Sequence, residues 1–304
     1  MTIHNKIAQM RTELNTQLYE RETAIEAAML ALITGEHAVF LGPPGTAKSM
    51  LVRAICERIT GSIYFERLLT KFSTPEELFG PLSLKELEND RYVRVKLGSI
   101  VAAHIGFVDE VFKANPSILN SLLCLMNERI YHEAGAALPV PLLSLFAASN
   151  ELPEDASLNA LYDRFLLRIE VPYLADDDSV KALLHSVPVN ATTSISMKEL
   201  ADAQKQVQAV GLSDSATDAI VHIKRELESE GIAVSDRRWK QCGKLVKANA
   251  WLRGESVTTE EHCDVLIHAL WDSPDKRRVV ERSVSKVANP LNLEAVELED
   301  AARD

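Results

Sequence analysis

Short, near-continuously apolar runs alternate with segments of helical spacing over residues 1–175. This predicts an α/β fold with a five-stranded parallel sheet in an αβα sandwich, followed by a small all-α domain. Three observations carry the prediction. The runs at 38–41, 105–110 and 140–147 lack polar alternation, as strands covered on both faces do. Helix-spaced segments lie between the runs and are long enough for parallel crossovers. Beyond Pro172 the strand signal stops and helical periodicity takes over.

The elements follow in chain order. Residues 17–33 place Leu18, Ile25, Met29 and Leu32 on one helical face, and Gly35 is suited to end that helix. Ala38-Val39-Phe40-Leu41 forms the first strand; Met50, Leu51, Val52, Ala54 and Ile55 resume helical spacing after a Gly-Pro-rich turn. Residues 62–69 supply a second strand. Thr74, Pro75, Glu76 and Glu77 then announce a short helix, with a capping hydroxyl, a proline in the first turn and early carboxylates. The charged stretch 84–102, with its Asn89-Asp90 turn, breaks the rhythm and predicts a hairpin or helix-hairpin insertion. Residues 105–110 form the third strand, Pro116 to Glu128 an apolar helix, 140–147 the fourth strand and 165–171 the fifth.

After Pro172, Asp176-Asp177-Asp178 and the Ser/Thr-rich residues 187–197 read as a linker. Ala216, Ile220, Ile223 and Leu227 share one helical face, as do Trp239, Cys242 and Val246. Thr258 to Glu261 resembles a capping box ahead of Val265-Leu266-Ala269-Leu270. The expected domains are therefore 1–175, a helical domain at 176–280, and a terminal helix or tail at 281–304.

Composition narrows the function classes. The 304 residues are 46% hydrophobic and 25% charged, ordinary for a soluble globular protein. With 33 Lys and Arg against 44 Asp and Glu, the net charge is −11, so no global attraction to nucleic acid or anionic membrane exists. Met1 to Gln17 lacks the apolar segment of a secretory leader, and no run of about 18 apolar residues could span a bilayer. A cytoplasmic protein without membrane insertion is expected. Cys56, Cys124, Cys242 and Cys263 lie far apart in apolar patterns and read as buried free thiols. Cys263 with His262 and His268 lacks metal-ligand spacing.

The chemistry centres on residues 42–49, Gly42-Pro43-Pro44-Gly45-Thr46-Ala47-Lys48-Ser49, with Met50 following. A strand, a tight loop and a helix in succession cradle phosphates, because successive backbone N–H groups and the helix N-terminus surround the anion. Lys48 adds a point charge near the β/γ-phosphates and Ser49 offers a hydroxyl to Mg²⁺. Ala47 departs from the pattern, which places glycine before the lysine. Asp109 and Glu110 end an apolar strand. Asp109 is suited to position Mg²⁺ with Ser49, and Glu110 to accept a proton from the attacking water. Asn150, after the next strand, is a neutral amide suited to orient that water.

GPPGTAKS, VDE, SNE, LYDRFLLR and VSDRRW, in this order, resemble the AAA+ ATPases of the MoxR family, most closely its RavA branch. The resemblance runs from about Leu18 to Trp271. It implies an αβα nucleotide domain, a helical lid, ATP and ADP as ligands with Mg²⁺, and a homo-oligomeric ring, usually a hexamer. By this resemblance residues 84–102 are the helix-2 insert and 127–141 a hairpin before the sensor strand. Arg164 is the finger reaching the neighbouring subunit's γ-phosphate, Arg237 is the lid sensor, and Tyr19-Glu20-Arg21 lies near the adenine. Arg168 and Arg238 are rivals for the two arginine roles, and the lid arginine is open to acting within its own site or across the interface. Members of the family act as chaperone-like motors on protein clients, commonly with a partner carrying a von Willebrand factor A domain. Some RavA-branch members carry a further domain after the lid, whereas this chain stops soon after its helical region.

Two other readings stay open. A nucleic-acid motor would use Arg91, Arg94 and Lys96 as a local basic hairpin, against the acidic composition. A nucleotide-gated scaffold would bind ATP with little turnover.

Overall fold

The computed structural model describes residues 1–153, 155–186 and 191–289, and the chain divides into two compact units, Met1–Leu200 and Ala201 onward. The first opens with α1 (Ile3–Gln17), capped by Thr2 and burying Ile7, Met10 and Leu14. This helix was not expected from the polar texture of residues 1–17. α2 (Glu22–Thr34) follows and ends at Gly35, whose φ of 70° is left-handed. The expected helix over 17–33 therefore starts late. Residues 18–21 form a turn instead, because Glu20 is itself left-handed and Arg21 is tied to backbone carbonyls elsewhere.

Five strands form the parallel sheet: β1 (Ala38–Leu41), β3 (Tyr64–Leu68), β4 (Ile105–Asp109), β7 (Ser144–Ser149) and β8 (Leu167–Glu170), in the order β3-β4-β7-β1-β8. Every β1 residue is buried, and the Phe40 and Phe146 rings stack at 6.2 Å on neighbouring strands. The fourth strand begins at Ser144 rather than 140. Pro141 cannot donate to a ladder, and Leu143 N instead donates to His104 O. α3 (Lys48–Glu57), α4 (Pro75–Phe79), α5 (Leu84–Leu87), α6 (Pro116–Glu128) and α7 (Ala156–Tyr162) alternate with these strands. β5 (Ile130–Glu133) and β6 (Ala136–Pro139) make the antiparallel hairpin ahead of β7.

The insertion at 84–102 is α5, an isolated antiparallel bridge between Leu82 and Arg94, and a 3₁₀ turn at Ile100–Ala102. Three of its cations face carboxylates: Arg91 with Glu86 at 3.7 Å, Arg94 with Glu76 at 3.2 Å and Lys96 with Glu133 at 3.0 Å.

The first unit extends past the change of texture near Pro172. α8 (Asp177–Leu184) follows β8, and β9 (Ile195–Ser196) pairs in parallel with β2 (Ile59–Thr60). Glu13 on α1 anchors this return, accepting from Thr193 Oγ1 at 2.6 Å and from the Thr192 hydroxyl. Burial raises the Glu13 carboxyl, but the hydrogen bonds from Thr192 and Thr193 together outweigh it and pull it down to about 2. The folded value lies below the ordinary 4.5, so the stabilisation is present above that value and lost as pH falls toward 2. Glu13→Gln is expected to cost about 1 kcal/mol at pH 7, screened by solvent, and to flatten the acid limb of a pH-dependent thermal melt.

The second unit is helical. α9 (Met197–Ala209) contains the division, and α10 (Asp214–Ser229), α11 (Asp236–Leu252), a 3₁₀ helix at Glu260–His268 and α12 (Pro274–Ala288) follow. Ala216, Ile223 and Leu227 of α10 are buried, with Ile220 partly exposed. The capping box sits one residue later than expected, between Thr259 and His262. Cys242 and Cys263 are buried, and burial pushes both thiols up to about 12; Cys56 is also buried, whereas Cys124 is half-buried, contrary to expectation. Residues 281–288 complete α12, while expectations for 187–190 and 290–304 lie outside the described residues. No helix among the described residues is long and apolar enough to cross a membrane.

Candidate functional site

The loop after β1 starts with Gly42, whose φ is 153°. A Cβ there would lie 2.2 Å from Val171 O, so only glycine fits against the chain leaving β8. Gly45 and Ala47 are both left-handed, with φ of 79° and 65°. For Ala47 that conformation costs roughly 1–2 kcal/mol that a glycine would escape. Ala47 is also the N-cap of α3 and makes no side-chain cap, so the first-turn amides of α3 are left for another acceptor.

Lys48 Nζ donates to Gly42 O and Pro43 O, both at 2.7 Å, and to Thr46 Oγ1 at 3.3 Å. Burial pushes its ammonium below the ordinary lysine value, while the negative charges of Asp109 and Glu110 work in the opposite direction. The backbone carbonyls thus hold the ammonium in the loop.

An open pocket of about 470 Å³ joins this loop to the rest of the candidate set. Pro44 through Met50 form one wall; Asp109, Glu110 and Asn150 contribute from the ends of β4 and β7; Tyr19 comes from the α1–α2 turn. The pocket thus lies at the carboxyl ends of the strands, where open parallel sheets bind ligands. Gly42 and Pro43 are not in the lining and contribute the carbonyls that hold Lys48.

Asp109 and Glu110 differ in environment. Asp109 Oδ1 accepts from Glu110 N at 3.0 Å, and burial raises its carboxyl above the usual range. Among the described residues it makes no ion pair, and no cluster of three or more potential ligands holds a metal. One carboxylate and the Ser49 hydroxyl are hard oxygen donors that fit Mg²⁺, which keeps several waters. Glu110 is left-handed at φ 53°, an unusual conformation for glutamate of the kind held at functional sites, and Lys113 Nζ lies 3.2 Å from its Oε2. Asn150 is exposed beside Ser149, whose hydroxyl donates to Glu151 O at 2.7 Å.

The arginines separate by burial. Arg164 is outside the pocket lining, on the turn between α7 and β8, with 27% of its side chain exposed and Asp163 at 3.9 Å. Arg168 is buried, its guanidinium 4.1 Å over the Tyr162 ring, and so is committed to packing. In the second unit Arg238 is buried and donates to Ala269 O at 2.8 Å, while Arg237 is half-buried.

Arg21, expected near the adenine together with Tyr19 and Glu20, lines the pocket, as do Gln17, Leu18, Leu174 and Leu183, for which no role was expected. Arg21 is 5% exposed and donates to Thr46 O at 3.1 Å, Glu20 O at 2.6 Å and Pro172 O at 2.8 Å. Its position in the segment Tyr19-Glu20-Arg21 was the available signal, but two of its three carbonyl partners, Thr46 O and Pro172 O, come from distant chain.

A family model described as the MoxR domain in the MoxR-vWA-beta-propeller ternary systems matches residues 5–210, and an AAA lid domain model matches 215–284. The uncharacterized protein MJ0812 of Methanocaldococcus jannaschii is 45% identical over 285 residues, spanning 93% of this chain and 76% of its own. Chaperone MoxR1 of Mycobacterium tuberculosis is 24% identical over 170 residues, spanning 55% of this chain and 44% of its own. The crystal structure of a candidate ATPase from Cytophaga hutchinsonii has the same fold, with a TM-score of 0.76 at 19% identity over 94% of this chain and 95% of that one. The five-stranded parallel sheet, the helical lid and the family match over most of the chain place this protein in the MoxR family of AAA+ ATPases.

Proposed function

We propose that the protein binds ATP with Mg²⁺ in the 470 Å³ pocket and hydrolyses it within a homo-oligomeric ring, using the cycle to remodel a protein client. The convergence of Lys48, Ser49, Asp109, Glu110 and Asn150 on one pocket carries this reading. Lys48 and the loop amides hold phosphate oxygens, while Ser49 and Asp109 hold the metal, which when bound neutralises phosphate charge. Glu110 accepts a proton from water that Asn150 orients. Tyr19 packs at the base end. Arg164, half-buried and outside its own pocket lining, is assigned to the site of the next subunit, and Arg237 to the lid sensor.

The family description supports a partner with a von Willebrand factor A domain, within a system that also contains a beta-propeller protein. The RavA likeness rests on the sequence motifs, and a hexameric ring on family resemblance. The nucleic-acid reading loses ground because Arg91, Arg94 and Lys96 each face a carboxylate.

Lys48→Ala tests the pocket. ATP affinity is expected to fall roughly 10- to 150-fold, the worth of one charged hydrogen-bonding group, by calorimetric titration. Unchanged ATP binding would remove the phosphate assignment.

A further inference from the structure

Ala47 of the phosphate loop and Arg21 of the α1–α2 turn meet at one peptide bond. Ala47 is left-handed without being glycine. The Thr46–Ala47 peptide is planar, so its carbonyl and N–H point in opposite directions. Ala47 can leave the left-handed region by rotation of this plane, which changes ψ of Thr46 and φ of Ala47 together and swings the Thr46 carbonyl away. Arg21 Nε donates to that carbonyl at 3.1 Å and opposes the swing.

The donor is itself held. Arg21 reaches Pro172 O at 2.8 Å and Glu20 O at 2.6 Å through its other nitrogens. Glu20 is occupied elsewhere: its carboxylate accepts from Ala175 N at 2.9 Å and Asp176 N at 3.0 Å, at the start of α8. Among the described residues no carboxylate lies within ion-pair distance of the Arg21 guanidinium, which is spent on backbone carbonyls. A buried arginine satisfied this way fixes backbone direction, since its planar fork loses its hydrogen bonds if any carbonyl turns.

We propose that Arg21 is a positioning residue of the phosphate loop, locking the peptide plane that keeps Ala47 left-handed and its N–H aimed away from the Thr46 carbonyl. A glycine at 47 adopts that conformation unaided; in this chain a buried guanidinium on the α1–α2 turn maintains it. The inference rests on the nucleotide-binding reading of the pocket, and it makes loop geometry dependent on two other segments, residues 19–21 and 172–176.

A double-mutant cycle with ADP and adenosine as calorimetric probes tests it. Arg21→Gln is expected to weaken ADP binding roughly tenfold, as loss of a charged hydrogen-bond donor does, and adenosine binding by clearly less, because adenosine lacks phosphate. In the Ala47→Gly background the same Arg21→Gln substitution is expected to weaken ADP binding by less than about threefold, so that glycine recovers most of the loss. Wild-type ADP affinity in Arg21→Gln, equal losses for adenosine, or no recovery by glycine would overturn the inference. Wild-type protein that takes up no ADP would overturn the nucleotide reading as well. If Arg21→Gln does not fold, the same cycle is read with Arg21→Lys, which keeps the charge but offers a single nitrogen to the three carbonyls and is expected to show the same glycine rescue.

Discussion

Glu110→Gln is expected to lower kcat for ATP hydrolysis about 10²- to 10⁴-fold while ATP affinity and assembly stay near wild type. The substitution keeps the shape and removes the base. Gln occupies the same left-handed backbone at φ 53°, so backbone strain is similar in both proteins. The lost pair with Lys113, whose side chain is 46% exposed, is worth roughly 0.2–1 kcal/mol and leaves the fold intact. Phosphate release measured beside ATP affinity separates chemistry from binding. Undiminished turnover would exclude Glu110 as the base, and full biological activity despite collapsed turnover would favour a nucleotide-gated scaffold. The same variant, held with ATP, is the protein with which to capture a client.

Arg164→Ala is expected to reduce kcat roughly 10³- to 10⁵-fold if its guanidinium meets the transition-state charge from the neighbouring subunit. Its own pocket is lined without it, and Arg168, the rival, is committed to the Tyr162 ring and buried. Mixing supplies the direct test. Arg164→Ala subunits retain an intact phosphate loop, and Lys48→Ala subunits retain the arginine. A mixture of the two inactive proteins is expected to regain activity, because some interfaces then pair a good loop with a good arginine. A mixture that stays inactive under conditions where the two assemble would place Arg164 outside the interface site.

Much of this site was legible because its parts are local. Gly42 through Ser49 are contiguous, and a strand running into a glycine-rich turn and a helix states its own geometry. Asp109 and Glu110 were legible as acids ending an apolar strand, and Asn150 as the residue after β7. Other features depended on distant chain. The helix expected over 17–33 starts at Glu22 because Glu20 and Arg21 are held by the segments at 172–176 and by Thr46 O, none of which periodicity registers. α1 escaped notice since Ile7, Met10 and Leu14 make a thin apolar stripe in a polar segment. The pairs Arg164 and Arg168, and Arg237 and Arg238, are equivalent as letters; burial against Tyr162 and the bond to Ala269 O distinguish them.

By itself the sequence determined an α/β nucleotide fold with a helical domain after it, since a phosphate loop, acids at a strand end and unbroken apolar strands are patterns of neighbouring residues. Tertiary structure decided the strand order β3-β4-β7-β1-β8, which brings Asp109 and Asn150, forty-odd residues apart, to the edge of the same pocket as Lys48. It also decided what holds Ala47. The sequence marks that alanine as irregular, but a peptide plane is kept in place by whatever reaches its carbonyl, and here that is an arginine from the turn between α1 and α2.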